Sequence, residues 1–217
     1  MLLGEDSMTL SVKLIDSNVD ISKQINKHLA LEINKRIKSN GLKVQKLLQS
    51  TVKSWVLSSP EIQSLKSQGV QGSLNALFGL DKGSADTAID AIASSVAGAT
   101  QVSINKVSRN LKGQITFNFQ RKSMDNLLSL LQGHQISQDG TDLHWLDWLL
   151  TKGDAIIIKG FSYEPSNDGR SGGGTMKVGG TFRVPPQYSG VQGNNFITRL
   201  LFGKEKQIST ILNKLLV

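Results

Sequence analysis

The period of the apolar residues changes near Gln101, and that change limits the fold of this chain more than any other feature. Before it, Ile21, Ile25, Leu29, Ile33 and Ile37 recur at every fourth residue, the spacing of one helix side. After it, Val102 and Ile104, then Ile115, Phe117 and Phe119, alternate as strand residues do, with residues 110–113 as the connecting turn. Helices first and strands interspersed with helices afterwards is an α+β order. The spacing therefore predicts a helical N-terminal region over residues 1–98 with long helices. Over residues 99–217 it predicts a small antiparallel sheet of about four strands packed with helices.

Residues 19–40 are expected as one amphipathic helix with Asp20 as its cap. The every-fourth-residue row drifts about 40° per step, so the apolar stripe winds across one side and Lys23, Lys27, Lys35 and Lys38 occupy the other. Gly41 is the expected stop, and a second helix follows from Leu42 to Val56, ended by Ser58, Ser59 and Pro60. Ser59 and Pro60 start a short helix, because Pro fits the first helical turn. Residues 69–83 are turn-rich around Leu74, Leu77 and Phe78, and residues 84–98 form an Ala-rich helix, after which the softest boundary falls. Further on, Ser123 and Asp142 are expected to open helices over 124–131 and 143–150. Strands are expected over 155–163 and 175–184, the second halted by Pro185 and Pro186, which cannot donate to a ladder. Residues 165–174 hold so much Gly, Ser and Asn that a mobile, unpacked loop is expected. Asn194 or Asn195 caps a helix over 196–202, and residues 204–216 close the chain with Ile208, Ile211, Leu212, Leu215 and Leu216 on one side.

The net charge of +8 would suit a polyanionic partner, but its placement matters more than its total. Residues 21–53 hold eight basic residues, Lys23, Lys27, Lys35, Arg36, Lys38, Lys43, Lys46 and Lys53, against one acid, Glu32, a surplus of seven. Lysines that neutralise phosphates bind DNA without sequence preference. The aromatic side chains that would stack bases are missing between them, Trp55 standing alone at the end, so an electrostatic docking face competes with a nucleic-acid face. Cys is absent, which removes disulfides and thiolate chemistry. Residues 1–8 lack the basic-then-apolar layout of a signal peptide, Met8 offers a second start, and no run of about 18 apolar residues occurs. A soluble chain without membrane association is expected.

Reactive groups do not converge in the sequence. His28, His134 and His144 are far apart and belong to no metal-binding pattern, so no metal and no cofactor is expected. Residues 169–173 fit the letters of G-x-S-x-G around Ser171, but the chemistry needs a strand-to-helix turn with a His downstream, and no His follows His144. Ser50 and Lys53 fit S-x-x-K without its companion motifs. The glycines at 172–174 lack the Gly-Lys-Ser/Thr that cradles phosphates. Glu164 and Asp168 are explained by turn solubility. Trp145 and Trp148, three apart on one helix, are core residues in the simplest reading and interface anchors in the sharper one. An enzyme is not expected.

Residues 141–217 resemble the tail-completion or neck family of tailed bacteriophages, particularly versions from marine phages with contractile tails. The matching stretches are Trp145-Leu146-Asp147-Trp148-Leu149-Leu150 leading to Gly153-Asp154, Gly169-Arg170-Ser171-Gly172 with Met176, Phe182-Arg183-Val184-Pro185-Pro186, and Asn194-Asn195-Phe196-Ile197-Thr198-Arg199. The resemblance implies a structural virion protein of the neck, assembled in the host cytoplasm. It would form a homo-oligomeric ring of six or twelve subunits between the portal-side connector and the tail terminator, with genome DNA passing through its lumen unread. Arg170, Arg183 and Arg199 match motif positions. By that analogy they, with Lys27, Lys35, Arg36, Lys38, Trp145 and Trp148, are the expected docking residues, and no catalytic role attaches to any of them.

Overall fold

A computed structural model describes residue 13 and residues 15–120, 122–137 and 140–216. The side chain of Lys82 and the second candidate start, Met8, lie outside that description. The chain is α+β, as the change of period requires, and its longest element is a 40-residue helix, α1 (Asn18–Leu57). At 1.5 Å per residue such a helix is about 60 Å long. Its cap is Ser17, whose side-chain oxygen accepts the Asp20 backbone N–H at 3.2 Å, rather than the expected Asp20.

Gly41 does not stop this helix, and what surrounds it explains why. A glycine in a helix interior costs about 1 kcal/mol relative to Ala. Against that, Arg36 donates to the Leu216 carbonyl at 3.1 Å and Asn40 to the Leu215 carbonyl at 3.4 Å. Val44 and Leu48, one and two turns beyond, are buried with Ile211 and Leu215. Both Leu215 and Leu216 follow the C-terminal helix α8 (Glu205–Asn213), so the end of the chain splints the site of the expected break.

The other N-terminal elements follow the sequence closely. In α2 (Pro60–Lys66), Ser59 caps by accepting from the Ile62 N–H; α3 (Leu74–Phe78) is the buried apolar knot; α4 (Lys82–Ala99) is the Ala-rich helix, capped by Asp81. The next hairpin is antiparallel, β1 (Gln101–Asn105) on β2 (Gln114–Asn118). The helix expected over 124–131 shrinks to α5 (Asp125–Leu128) and a 3-10 turn (Leu131–Gly133), and Met124, in the left-handed region, precedes it where Ser123 was the expected opening. Asp142 opens no helix: it pairs in a two-residue strand, β4 (Asp142–Leu143), with β3 (Gln135–Ile136), and α6 begins at Trp145 (Trp145–Thr151). The third hairpin, β5 (Ile158–Pro165) and β6 (Gly174–Phe182), is followed by α7 (Phe196–Arg199), capped by Asn195.

The expected single sheet is absent among the described residues, which instead form three separate two-stranded hairpins. Alternation specifies that a segment is a strand but not which strand lies beside it. Each strand here pairs with its neighbour in sequence, and most residues of β5 and β6 are exposed, so no further strand is needed to cover them. What unites the elements is one buried cluster that draws on both sides of residue 98. It joins Val52 and Val56 of α1, Ile62 and Leu65 of α2, Ile92 and Val96 of α4, Leu146 and Leu149 of α6, and Phe196 and Ile197 of α7.

In the Gly-rich loop after β5 residues 167–170 are exposed, but residues 171–174 pack, against expectation, and glycine is the reason. The Gly69 N–H donates to the Ser171 carbonyl at 3.0 Å, and the Tyr163 hydroxyl bridges the two segments, donating to the Gly173 carbonyl and accepting from the Gly72 N–H, both at 2.7 Å. A Cβ on Gly173 would lie 2.7 Å from the Ala76 Cβ and 3.0 Å from the Val70 carbonyl oxygen. The absence of a side chain is what admits backbone this close.

Candidate functional site

Three surroundings divide α1. From Val52 to Leu57 it is in the main core, and from Ile37 to Leu48 it packs on the second cluster and the β1–β2 hairpin. Near Ala30 it is still held, because Asn34 makes a paired contact with Val107, donating to its carbonyl and accepting its N–H, both at 2.9 Å. The stretch before Ala30 is held by nothing comparable among the described residues. Val19, Ile25 and Leu29 are exposed there, Ile25 by 53% and Leu29 by 46%, and Leu31 just beyond by 60%. Ile21, Ile25 and Leu29 line an open groove of about 590 Å³ with His28 and Glu32. The apolar row that reads as a core-facing stripe in the sequence is thus half-buried at Ile21 and exposed at Ile25 and Leu29.

Lysines surround this row. Lys23 pairs with Asp20 at 3.5 Å, Arg36 with Glu32 at 3.5 Å, and Lys53 with Asp90 at 2.8 Å. Lys27, Lys35, Lys38, Lys43 and Lys46 are exposed and make no ion pair among the described residues. Lys35 and Lys38 border a second apolar groove with Leu31, Ile37 and Ile104, where α1 crosses β1. This segment therefore combines an uncovered apolar stripe with a positive flank.

The remaining expected docking residues lie elsewhere and play different parts. Trp145 is fully buried, stacked on Phe78 with ring centroids 5.3 Å apart, so it offers no surface to a partner; its simpler reading as core holds. Trp148 is half-buried between Phe78 and Phe182. It borders a cleft of about 360 Å³ with Arg170, Tyr163 and Met176. Arg170 is exposed and faces Asp81, whose carboxyl is held below the usual carboxylate range, first by the backbone N–H and hydroxyl of Ser84 and to a smaller degree by the guanidinium. Arg199 turns inward: it meets the buried Glu61 at 2.9 Å, which makes it a structural partner rather than a free docking group. Arg183 is exposed beside Val184. The structure places Trp148 and Arg170 on one cleft, which none of the α1 lysines lines; Arg199 lines a separate cleft with Trp55 and Phe202.

The pattern around Ser171 does not hold a nucleophile. Ser171 is buried, its hydroxyl accepts from the Gly173 N–H at 3.3 Å, and it sits in the turn of a β-hairpin instead of between a strand and a helix. Ser50 donates to the Leu47 carbonyl and Lys53 is engaged by Asp90 and Ser94, so the S-x-x-K letters are helix surface.

One grouping is missed by sequence reasoning. His134 and His144 stand with ring centroids 3.9 Å apart, and Asp142 lies between them, its Oδ2 3.1 Å from His134 Nδ1 and 3.3 Å from His144 Nε2. Residues 142 and 144 alternate onto one strand side, and a turn through Gly140 brings His134 across from them. Distance along the chain hid it.

No protein-family model matches this chain, and no curated protein or solved structure is found to match it.

Proposed function

We propose that this chain is a structural subunit of the neck of a tailed-phage virion, a tail-completion protein that assembles into a ring joining head connector to tail. The observation that supports this reading is the exposure of Ile25 and Leu29 in the apolar row of α1, on a helix whose other end, from Val52 onward, is rooted in the main core. Exposed apolar surface on a regular element marks an interaction site, and a second copy of the chain is its proposed occupant. A contact of that kind, helix of one subunit against a different surface of the next, is heterologous, and it closes into a ring when the rotation permits. The resemblance of residues 141–217 to neck proteins supplies the ring's place, between portal-side connector and tail terminator, with genome DNA in its lumen. The subunit works by shape and contact, without catalysis.

The test is the mass of the assembly. Mixed with its connector or tail partner, the full chain is expected to give particles of six or twelve subunits of 23.6 kDa by mass photometry. Ile25→Asp with Leu29→Asp is expected to abolish them while leaving the circular-dichroism spectrum unchanged. A wild-type chain that stays monomeric with each partner overturns the reading.

The exposed lysines favour a second reading, a nucleic-acid-binding accessory protein that uses residues 21–53. It requires affinity that falls with salt by about 0.9 logarithmic units per contacted phosphate for each tenfold rise in salt concentration. Charge reversal at Lys27, Lys35 and Lys38 is expected to reduce that slope. Failure to retain DNA at low salt eliminates it.

A further inference from the structure

We propose that His134, Asp142 and His144 form a binding site for a divalent late first-row transition metal, with Zn²⁺ the ion they suit best. The site stands independently of the neck reading. It rests on how the β3–β4 hairpin brings three ligand types to one place. In that antiparallel pair Gln135 faces Leu143 and Ile136 faces Asp142, so the same register sets His134 opposite His144. Asp142 is two residues from His144, on the same side of the strand and diagonal to His134. The donor atoms, one from each residue, lie within 4.8 Å of one another.

The distances match a coordination sphere. Zn²⁺ takes imidazole nitrogen and carboxylate oxygen at about 2.0–2.2 Å in a tetrahedron, whose ligand-to-ligand edges are then about 3.3–3.5 Å. The two nitrogen-to-Oδ2 distances, 3.1 and 3.3 Å, are close to such edges, and the two imidazole nitrogens lie within 4.8 Å of each other, so an ion enters with rotation of the exposed imidazole of His144. Two imidazole nitrogens with one carboxylate select against Ca²⁺ and Mg²⁺, which take oxygen ligands, and in favour of zinc-like ions. Three protein ligands leave a fourth position for water. The side chains are exposed by 24% at His134, 48% at Asp142 and 51% at His144, which gives an ion a path in.

The frame behind the ligands is built from the core. The His144 carbonyl accepts the Trp148 N–H at 3.2 Å, which ties that ligand to the first turn of α6. Gly133, next to His134, lies so close to the buried Leu146 that a Cβ there would be 2.9 Å from the Leu146 Cβ. Both histidines are thus attached to backbone whose position α6 sets, and a bound ion would clip the β3–β4 hairpin to that helix.

Titration of the full chain with Zn²⁺ alone, followed by calorimetry, is expected to give one ion per chain and to raise the thermal midpoint, since a ligand of the folded state stabilises it. His134→Ala and His144→Ala are each expected to weaken binding by at least about a hundredfold, the upper end of what loss of a supporting group commonly costs. His28→Ala, at the remaining histidine, is expected to change nothing. In the wild-type chain, Zn²⁺ is expected to shift the imidazole NMR signals of His134 and His144 together and to leave that of His28 in place, a readout that needs no variant to fold. Absence of binding at a few hundred micromolar ion, or shifts confined to His28, overturns the proposal, as does undiminished affinity in either folded alanine variant.

Discussion

The two ends of α1 belong to one uninterrupted helix and meet opposite surroundings. At the C-terminal end, Leu48, Val52 and Val56 have no accessible surface; at the N-terminal end, Ile25 and Leu29, spaced by the same four residues, are about half exposed. Apolar periodicity is thus the same at both ends while burial is not. The difference teaches that one apolar period on one helix does not fix burial: the same stripe is core at one end and half-exposed at the other. On the neck reading, an ordered helix suits a contact between subunits better than a disordered tail would, because the ordering entropy is spent during folding and not at assembly.

The strongest way to break that comparison is to truncate one leucine at a time. Leu149 of α6 is fully buried in the main cluster, and Leu149→Ala is expected to lower the unfolding free energy of the subunit by about 2–5 kcal/mol in a urea titration. Leu29→Ala is expected to lower it by less than about 0.5 kcal/mol, because little of that side chain's contact lies within the subunit. Comparable losses at both positions would mean that the N-terminal end of α1 is part of the core.

A second variant asks whether the rooted region depends on polar groups as well as on packing. Asn195 is fully buried; its Oδ1 accepts the N–H groups of Ile197 and Thr198 at 3.1 and 3.2 Å, and its Nδ2 donates to the carbonyls of Leu150 and Val191, both at 3.1 Å. Asn195→Ala removes the cap of α7 and the donor to the Leu150 carbonyl, while the Val191 carbonyl keeps the Asn194 N–H at 2.8 Å, so a loss of about 2–3 kcal/mol is expected by the same titration. A loss under about 0.5 kcal/mol would show that α7 is held by Phe196 and Ile197 alone.

How far this was legible in the sequence depends on whether the deciding interaction was local. The α+β class, the β1–β2 hairpin, the Ser59 and Asn195 caps and the Pro185 stop were legible because each is decided within a few residues. The number of sheets was not, since alternation says nothing about which strands adjoin. Nor was the packing of residues 171–173 on residues 69–76, which joins segments about a hundred residues apart through backbone atoms that carry no side-chain signature. Of the expected docking residues, Lys27, Lys35 and Lys38 are exposed as their helix side required, whereas Trp145 and Arg199 are engaged inside, by Phe78 and by Glu61. Composition cannot distinguish an arginine that waits for a partner from one that already has it. The His134, Asp142 and His144 grouping needed the register of a two-residue hairpin, too short to read from periodicity.

Gly173→Ala tests the packed loop directly. The added methyl meets the Ala76 Cβ and the Val70 carbonyl, neither of which is the end of a flexible side chain, so the two segments must separate. A loss of about 1–3 kcal/mol is expected, the usual range for overpacking, together with faster hydrogen exchange at the Gly69 and Gly72 amides. An unchanged exchange pattern would return this loop to the unpacked surface that its composition suggests.

The smallest expected effect is a gain, and it bears on the comparison most directly because Gly41 lies between the two ends of α1. A helix–turn–helix would use this glycine for its conformational freedom, and alanine there would cost stability. In a continuous helix the glycine only loosens the unfolded chain, and a Cβ at position 41 meets nothing within 4 Å. Gly41→Ala is therefore expected to stabilise the subunit by about 0.5–1 kcal/mol. On the neck reading it is also expected to leave ring assembly intact, since the helix is already continuous through this point. A destabilised variant would mean that α1 bends at Gly41, and the stripe before it would then be free to fold back on its own subunit, where a neighbour would find nothing to hold.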